Sequence, residues 1–95
     1  MLSQIPIDLG KVKKEDIDKE ILRVGIIAEY DAVSLYEQLA GMTDSENIKK
    51  ILLDIAKEEK THVGEFQALL LNEDKEQMEE LKKGEEEVKE KTIEG

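Results

Sequence analysis

The sequence predicts an all-α protein, an antiparallel two-helix hairpin followed by a short C-terminal helix, which completes itself by dimerising into a four-helix bundle. Three observations predict it. Apolar residues recur at steps of three and four over two long segments, the spacing that keeps side chains on one helical face. Those segments are joined by only a few residues, which leaves them little choice but to fold back antiparallel. The chain has 95 residues and no cysteine, so neither a large private core nor a disulfide can stabilise it, and association or a metal held by oxygen and nitrogen must contribute.

Residues 1–14 read as an N-terminal arm, since they contain the one proline and no sustained period. From Glu15 to about residue 40, Ile17, Ile21, Val24, Ala28, Ala32, Leu35 and Leu39 form the first helical stripe. Gly41 supplies a helix-terminating residue, and Thr43-Asp44-Ser45-Glu46 has the spacing of a capping box opening a second helix over about 45–71, with Asn72 as its stop. In that helix Ile48, Leu52, Ile55, Glu59, His62, Phe66 and Leu69 form one seam. Beyond it acidic residues outnumber basic ones, and only Met78, Leu81, Val88 and Ile93 are larger apolar side chains. A short third helix is expected around 74–83, with Gly84 breaking it. The domain then spans 15–83, and 84–95 is an acidic tail or linker.

With 24 acidic against 14 basic side chains, the surface repels nucleic acid and anionic lipid, which need clustered Lys and Arg. Cations are the more natural partners. No apolar run approaches the roughly 20 residues needed to cross a bilayer. Nothing near the start has the continuous apolar core of a secretory signal, and the expectation is a soluble cytoplasmic protein.

Two polar residues interrupt the second seam. Glu59-Lys60-Thr61-His62 is a Glu-x-x-His pair whose three-residue step sets a carboxylate and an imidazole about a turn apart on one side of a helix. Flanked by Ile55 and Phe66, they are expected to be shielded from water. Burying them without a partner costs several kcal/mol, so a cation that binds both is the economical answer. The alternative is that they bond one another in a wet interface. Glu29 is the matching anomaly of the first helix, its neighbours one turn away being Gly25, Ile26, Ala32 and Val33. With the turn near residue 42, equidistance places Glu29 across from residues 55–59. Tyr36, two turns further along that face, could offer its hydroxyl to a ligand, or could pack at the bundle edge with the hydroxyl wet.

Counting ligands then fixes the assembly. Four-helix di-metal carboxylate centres take one Glu from each of two helices and Glu-x-x-His from each of the other two. This chain carries half of each, and a two-fold dimer doubles the set. Mixed carboxylate and imidazole donors suit iron, manganese or zinc better than calcium or magnesium. Four carboxylates also favour the trivalent state.

The stretch 27–38 (Ile-Ala-Glu-Tyr-Asp-Ala-Val-Ser-Leu-Tyr-Glu-Gln) and Glu58-Glu59-Lys60-Thr61-His62 closely resemble the encapsulated ferritins, two-helix ferroxidases housed inside encapsulin shells. The likeness covers about residues 15–83. It implies a ferritin-like bundle, a di-iron centre ligated by Glu29, Glu59 and His62 with Tyr36 beside it, and oxidation of ferrous to ferric iron by dioxygen. Asp31 matches a carboxylate near the family's metal approach path, although Ala28 stands where some members carry a further acid. The resemblance implies a homo-oligomer, a ring-shaped decamer built from such dimers, working with the encapsulin shell protein inside its nanocompartment. No apolar targeting peptide follows Gly84, and the acidic end suits a linker to a fused shell domain. Two other readings stay open: a helical-hairpin adaptor without catalysis, and another di-metal enzyme such as a rubrerythrin-like peroxidase.

Overall fold

The computed structural model describes residues 8–92. Among them are three α-helices, α1 (Ile17–Met42), α2 (Glu46–Glu73) and α3 (Lys75–Lys91), preceded by single 3-10 turns at Leu9–Lys11 and Lys14–Asp16. The described part of the arm is therefore turned rather than irregular. Arm residues 1–7 and tail residues 93–95, Ile93 included, lie outside the described residues.

α1 and α2 form the expected hairpin, and their boundaries differ from expectation in ways that have physical causes. Gly41 lies inside α1, which runs on to Met42. Thr43 is extended, and its Oγ1 accepts a hydrogen bond from the Ser45 backbone N–H at 3.1 Å. Ser45, not Thr43, caps α2, its Oγ accepting from the Ile48 N–H at 3.3 Å. A cap satisfies one of the four backbone donors that every helix start leaves open. Asn72 does not stop α2. Asp74 sets the next boundary by accepting from the Gln77 N–H at 3.0 Å, which caps α3.

α3 is longer than its sequence suggests and runs straight through Gly84. An interior glycine costs a helix roughly 1 kcal/mol relative to alanine. The flanking Glu and Lys residues are good helix formers, and the Glu85–Lys89 pair at 3.5 Å adds a little, so the helix tolerates it. From Glu79 onward every described residue of α3 is exposed. At about 26 Å long, α3 leaves the hairpin sideways, and the molecule measures 47 × 43 × 20 Å.

The hairpin closes on small side chains. Val33 and Ala40 of α1 and a line of Ala56, Val63 and Leu70 on α2 are the buried hydrophobic residues among those described. That line sits one position away from the seam read from sequence. Within a single chain Ile48 and Leu69 are exposed, and Leu52, Ile55, Glu59, His62 and Phe66 are half-buried. Helical rotation puts Ile21, Leu35 and Leu39 of α1 on the same side of the hairpin as Ile48, Ile51 and Leu69 of α2. All six are exposed. The chain exposes 7567 Å², whereas a folded monomer of its mass exposes about 5,500 Å².

Candidate metal centre

The centre of that face is where the three sequence-predicted ligands meet. Glu59 and His62 come from adjacent turns of α2. Glu29 arrives from α1 because the two helices run antiparallel from a turn roughly midway between residues 29 and 59. Among the described residues, Glu29, Glu59 and His62 form the group of acidic and histidine side chains whose ligand atoms all lie within 4.8 Å of one another. His62 Nδ1 is 3.4 Å from Glu29 Oε2 and 3.3 Å from Glu59 Oε2.

A single hydrogen bond does not account for both contacts. Nδ1 carries at most one proton, and both separations exceed the 2.7–3.2 Å range of good N–H···O bonds. Ligands about 2.1 Å from a common ion in tetrahedral or octahedral arrangement stand roughly 3–3.6 Å apart. The two measured separations fall within that interval. Two carboxylates and an imidazole nitrogen are a donor set that fits iron, and a cation between them would offset the repulsion of two carboxylates drawn to one nitrogen.

The shielding expected from sequence is only partly present. The side chains of Glu29 and Glu59 are each 19 % exposed, but that of His62 is 44 % exposed. A single hairpin covers the carboxylates from one side and leaves the imidazole at the mouth of a cavity of about 400 Å³, lined by Glu29, His62, Glu65, Phe66 and Leu69. Gly25 shapes its wall. The Phe66 ring lies against α1 there, so close that a Cβ on Gly25 would touch ring carbons at 3.4 Å.

Tyr36 is half-buried and does not line the cavity. Asp31 is half-buried and lies outside the ligand group. Two residues beyond Glu29, it projects from a different side of α1, where it has an interaction of its own. Glu65 is exposed and lines the cavity as well. Its three-residue step beyond His62 is the signal that could have found it. On the opposite face of the hairpin Lys60 pairs with Glu37 at 3.1 Å, an exposed contact worth little.

A larger hollow of about 550 Å³ lies between the N-terminal turns and the start of α3, lined by residues including Lys19, Glu20, Arg23 and Asp74. Several of its charges are paired: Arg23 reaches Glu20 at 2.6 Å and Asp74 at 3.0 Å, and Lys19 reaches Asp16 at 3.7 Å. It is a structural joint between α1 and the α2–α3 corner, and the chemistry lies elsewhere. The Gln77 backbone N–H, helped by the charges of Lys19 and Arg23, holds the Asp74 carboxyl below its ordinary value of 3.8. A depressed folded-state value means that the ionised form stabilises the joint. That contribution is present above the ordinary carboxylate range and is lost as pH falls through the folded value. Protection of the amides in the first turn of α3, taken relative to their intrinsic exchange rates at each pH, should therefore fall below about pH 4, and Asp74→Ala, which removes the cap together with the charge, should lower that protection at neutral pH already.

Comparison with known proteins agrees with this architecture. Residues 20–94 match the rubrerythrin family, whose ferritin-like members typically bind iron. The crystal structure of the encapsulated ferritin domain from Pyrococcus furiosus is similar with a TM-score of 0.80 and 58 % identity, covering 95 % of this chain and 94 % of that one. The ferritin-like-encapsulin shell fusion protein of the same organism is 59 % identical over 95 residues. That match covers 97 % of this chain and 27 % of the relative, so the chain spans about a quarter of the relative's length. No helix among the described residues is long and apolar enough to cross a membrane. By the family match over most of its length and by its identity to a solved domain of almost the same extent, the chain belongs to the rubrerythrin family, as a ferritin-like domain of the encapsulated-ferritin kind.

Proposed function

We propose that two copies of this chain pair through the apolar face of the hairpin and form a di-iron ferroxidase centre from Glu29, Glu59 and His62 of each. The observation that carries this reading is the convergence of those three side chains at the centre of an otherwise apolar, exposed face. Covering the face by a second copy does two things together: it buries Ile21, Leu35, Ile48, Ile51 and Leu69, and it raises the ligand set to four carboxylates and two imidazoles. At roughly 25 cal/mol per Å² of apolar surface removed from water, the first effect can offset the desolvation of the second.

Iron is the substrate and supplies the electrons that dioxygen accepts. The chain's residues place it: Glu29 and Glu59 provide negative charge that favours the ferric over the ferrous state, and His62 presents its Nδ1 lone pair. Phe66, packed on Gly25, keeps an apolar wall beside the ligands, which strengthens their interaction with bound cations. Tyr36 and Asp31 remain candidates for a neighbouring and an approach role. Exposed Ile27, Tyr30 and Leu53 lie toward the opposite side of the hairpin and offer a second contact surface, as a ring of dimers, a decamer in the related family, requires. The likeness to a fusion with an encapsulin shell supports iron storage inside an encapsulin nanocompartment in the cytoplasm.

Aerobic addition of ferrous iron tests the proposal. A ferric absorbance band should grow and saturate its fast phase near two irons per dimer, and dioxygen should serve as oxidant without added peroxide. A folded protein that gives no such band would instead be a hairpin adaptor. A band that appears only with peroxide would indicate a rubrerythrin-like peroxidase.

A further inference from the structure

We infer that Glu65 is the carboxylate at which a divalent cation first engages the protein, and that the cavity it lines is the path from solvent to Glu29 and His62. This rests on the metal centre proposed above and adds to it a residue and a direction of approach. Of the five residues lining the cavity, Glu29 and His62 belong to the centre and Phe66 and Leu69 are apolar, which leaves Glu65 as the one other charged group.

Its position suits capture rather than permanent ligation. Ala56 is buried and faces α1; Glu65 follows it by nine residues, two and a half helical turns, and so projects from the side of α2 directed away from α1. It therefore stands at the rim of the apolar face and stays in contact with water when that face is covered. Being three residues from His62, it is also a neighbour of the imidazole on the helix surface. A hydrated cation arriving at Glu65 can exchange one water for a carboxylate oxygen before it loses the rest to the inner ligands.

Glu58 provides an internal control. It lies seven residues before Glu65, nearly on the same line of α2, is also exposed, and carries the same charge, yet it does not line the cavity. A general attraction between cations and an acidic surface involves both residues, whereas a path through the cavity involves Glu65 alone.

The test uses Co²⁺ as the probe, the whole chain in its assembled form, and the growth of the cobalt ligand-field band after rapid mixing, with helicity checked by circular dichroism. Glu65→Gln should slow the band on the order of fivefold to tenfold, in the range of local electrostatic steering, and reach the wild-type intensity and stoichiometry. Glu58→Gln should keep the wild-type rate within about twofold. Equal rates for wild type and Glu65→Gln, or equal slowing in both variants, would overturn the path. A permanently altered band in Glu65→Gln would also overturn it, because Glu65 would then be a resident ligand. Wild-type protein that gives no band would count against the metal centre itself, a result distinct from the other three.

Discussion

Replacing Glu59 or His62 with alanine is expected to abolish rapid iron oxidation, by a factor of at least 10², while helical content stays within a few per cent of wild type. The factor has a lower bound because even groups that merely orient metal ligands change affinity or activity by about 10- to 100-fold when removed, and these are the proposed ligands themselves. By two-fold symmetry one substitution removes two donors from the shared centre. Helicity should persist because neither side chain contributes to the buried line of Ala56, Val63 and Leu70. Removing Glu59 should even relieve the repulsion between it and Glu29 in metal-free protein. Thermal unfolding without metal should therefore change little, whereas the stabilisation added by metal should vanish. Stopped-flow oxidation and calorimetry on the same preparation would check both. Normal oxidation rates in either variant would contradict the ligand assignment.

Ile51→Lys should separate the proposed dimer. Ile51 is 59 % exposed in the single chain, so lysine there does little to the hairpin alone. In the pair it places two ammonium groups on the face that must be covered. Burying an unpaired charge costs several kcal/mol, and every 1.4 kcal/mol is a tenfold change in the dissociation constant. The dimer should weaken by at least 100-fold. Oxidation should fall with it, although no ligand has been touched, and should recover at high protein concentration. Light scattering and activity measured across a concentration series would reveal this coupling. Full activity in a monomeric variant would show that one hairpin suffices.

Much of this site is legible in the sequence because helix geometry constrains it so tightly. A step of three places Glu59 beside His62, and a short turn places Glu29 opposite them. The degree of burial is not legible. The seam from Ile48 to Leu69 is not the line that α2 packs on α1 but sits one position from it: Ala56, Val63 and Leu70 are buried, whereas Ile48, Ile51 and Leu69 are exposed. Periodicity reports the direction of the summed apolar surface, which points between a buried line and an exposed apolar one where a helix carries both. The end of α3 was hidden for a different reason. Gly84 carries a clear penalty, but whether a helix breaks depends on all its neighbours, and the surrounding Glu and Lys residues outweigh one glycine. At the start of α2 the capping-box spacing points to Thr43, whereas Ser45 two residues on is the cap. Backbone geometry selects between them, and composition does not.

Native mass spectrometry of anaerobically iron-loaded protein, with metal analysis of the same sample, tests most directly whether one hairpin holds only half a centre. Iron should be found in assemblies containing an even number of chains, at two per pair, and monomers should be free of it. Monomers that retain iron as tightly as the paired species would show that each hairpin binds its metal alone.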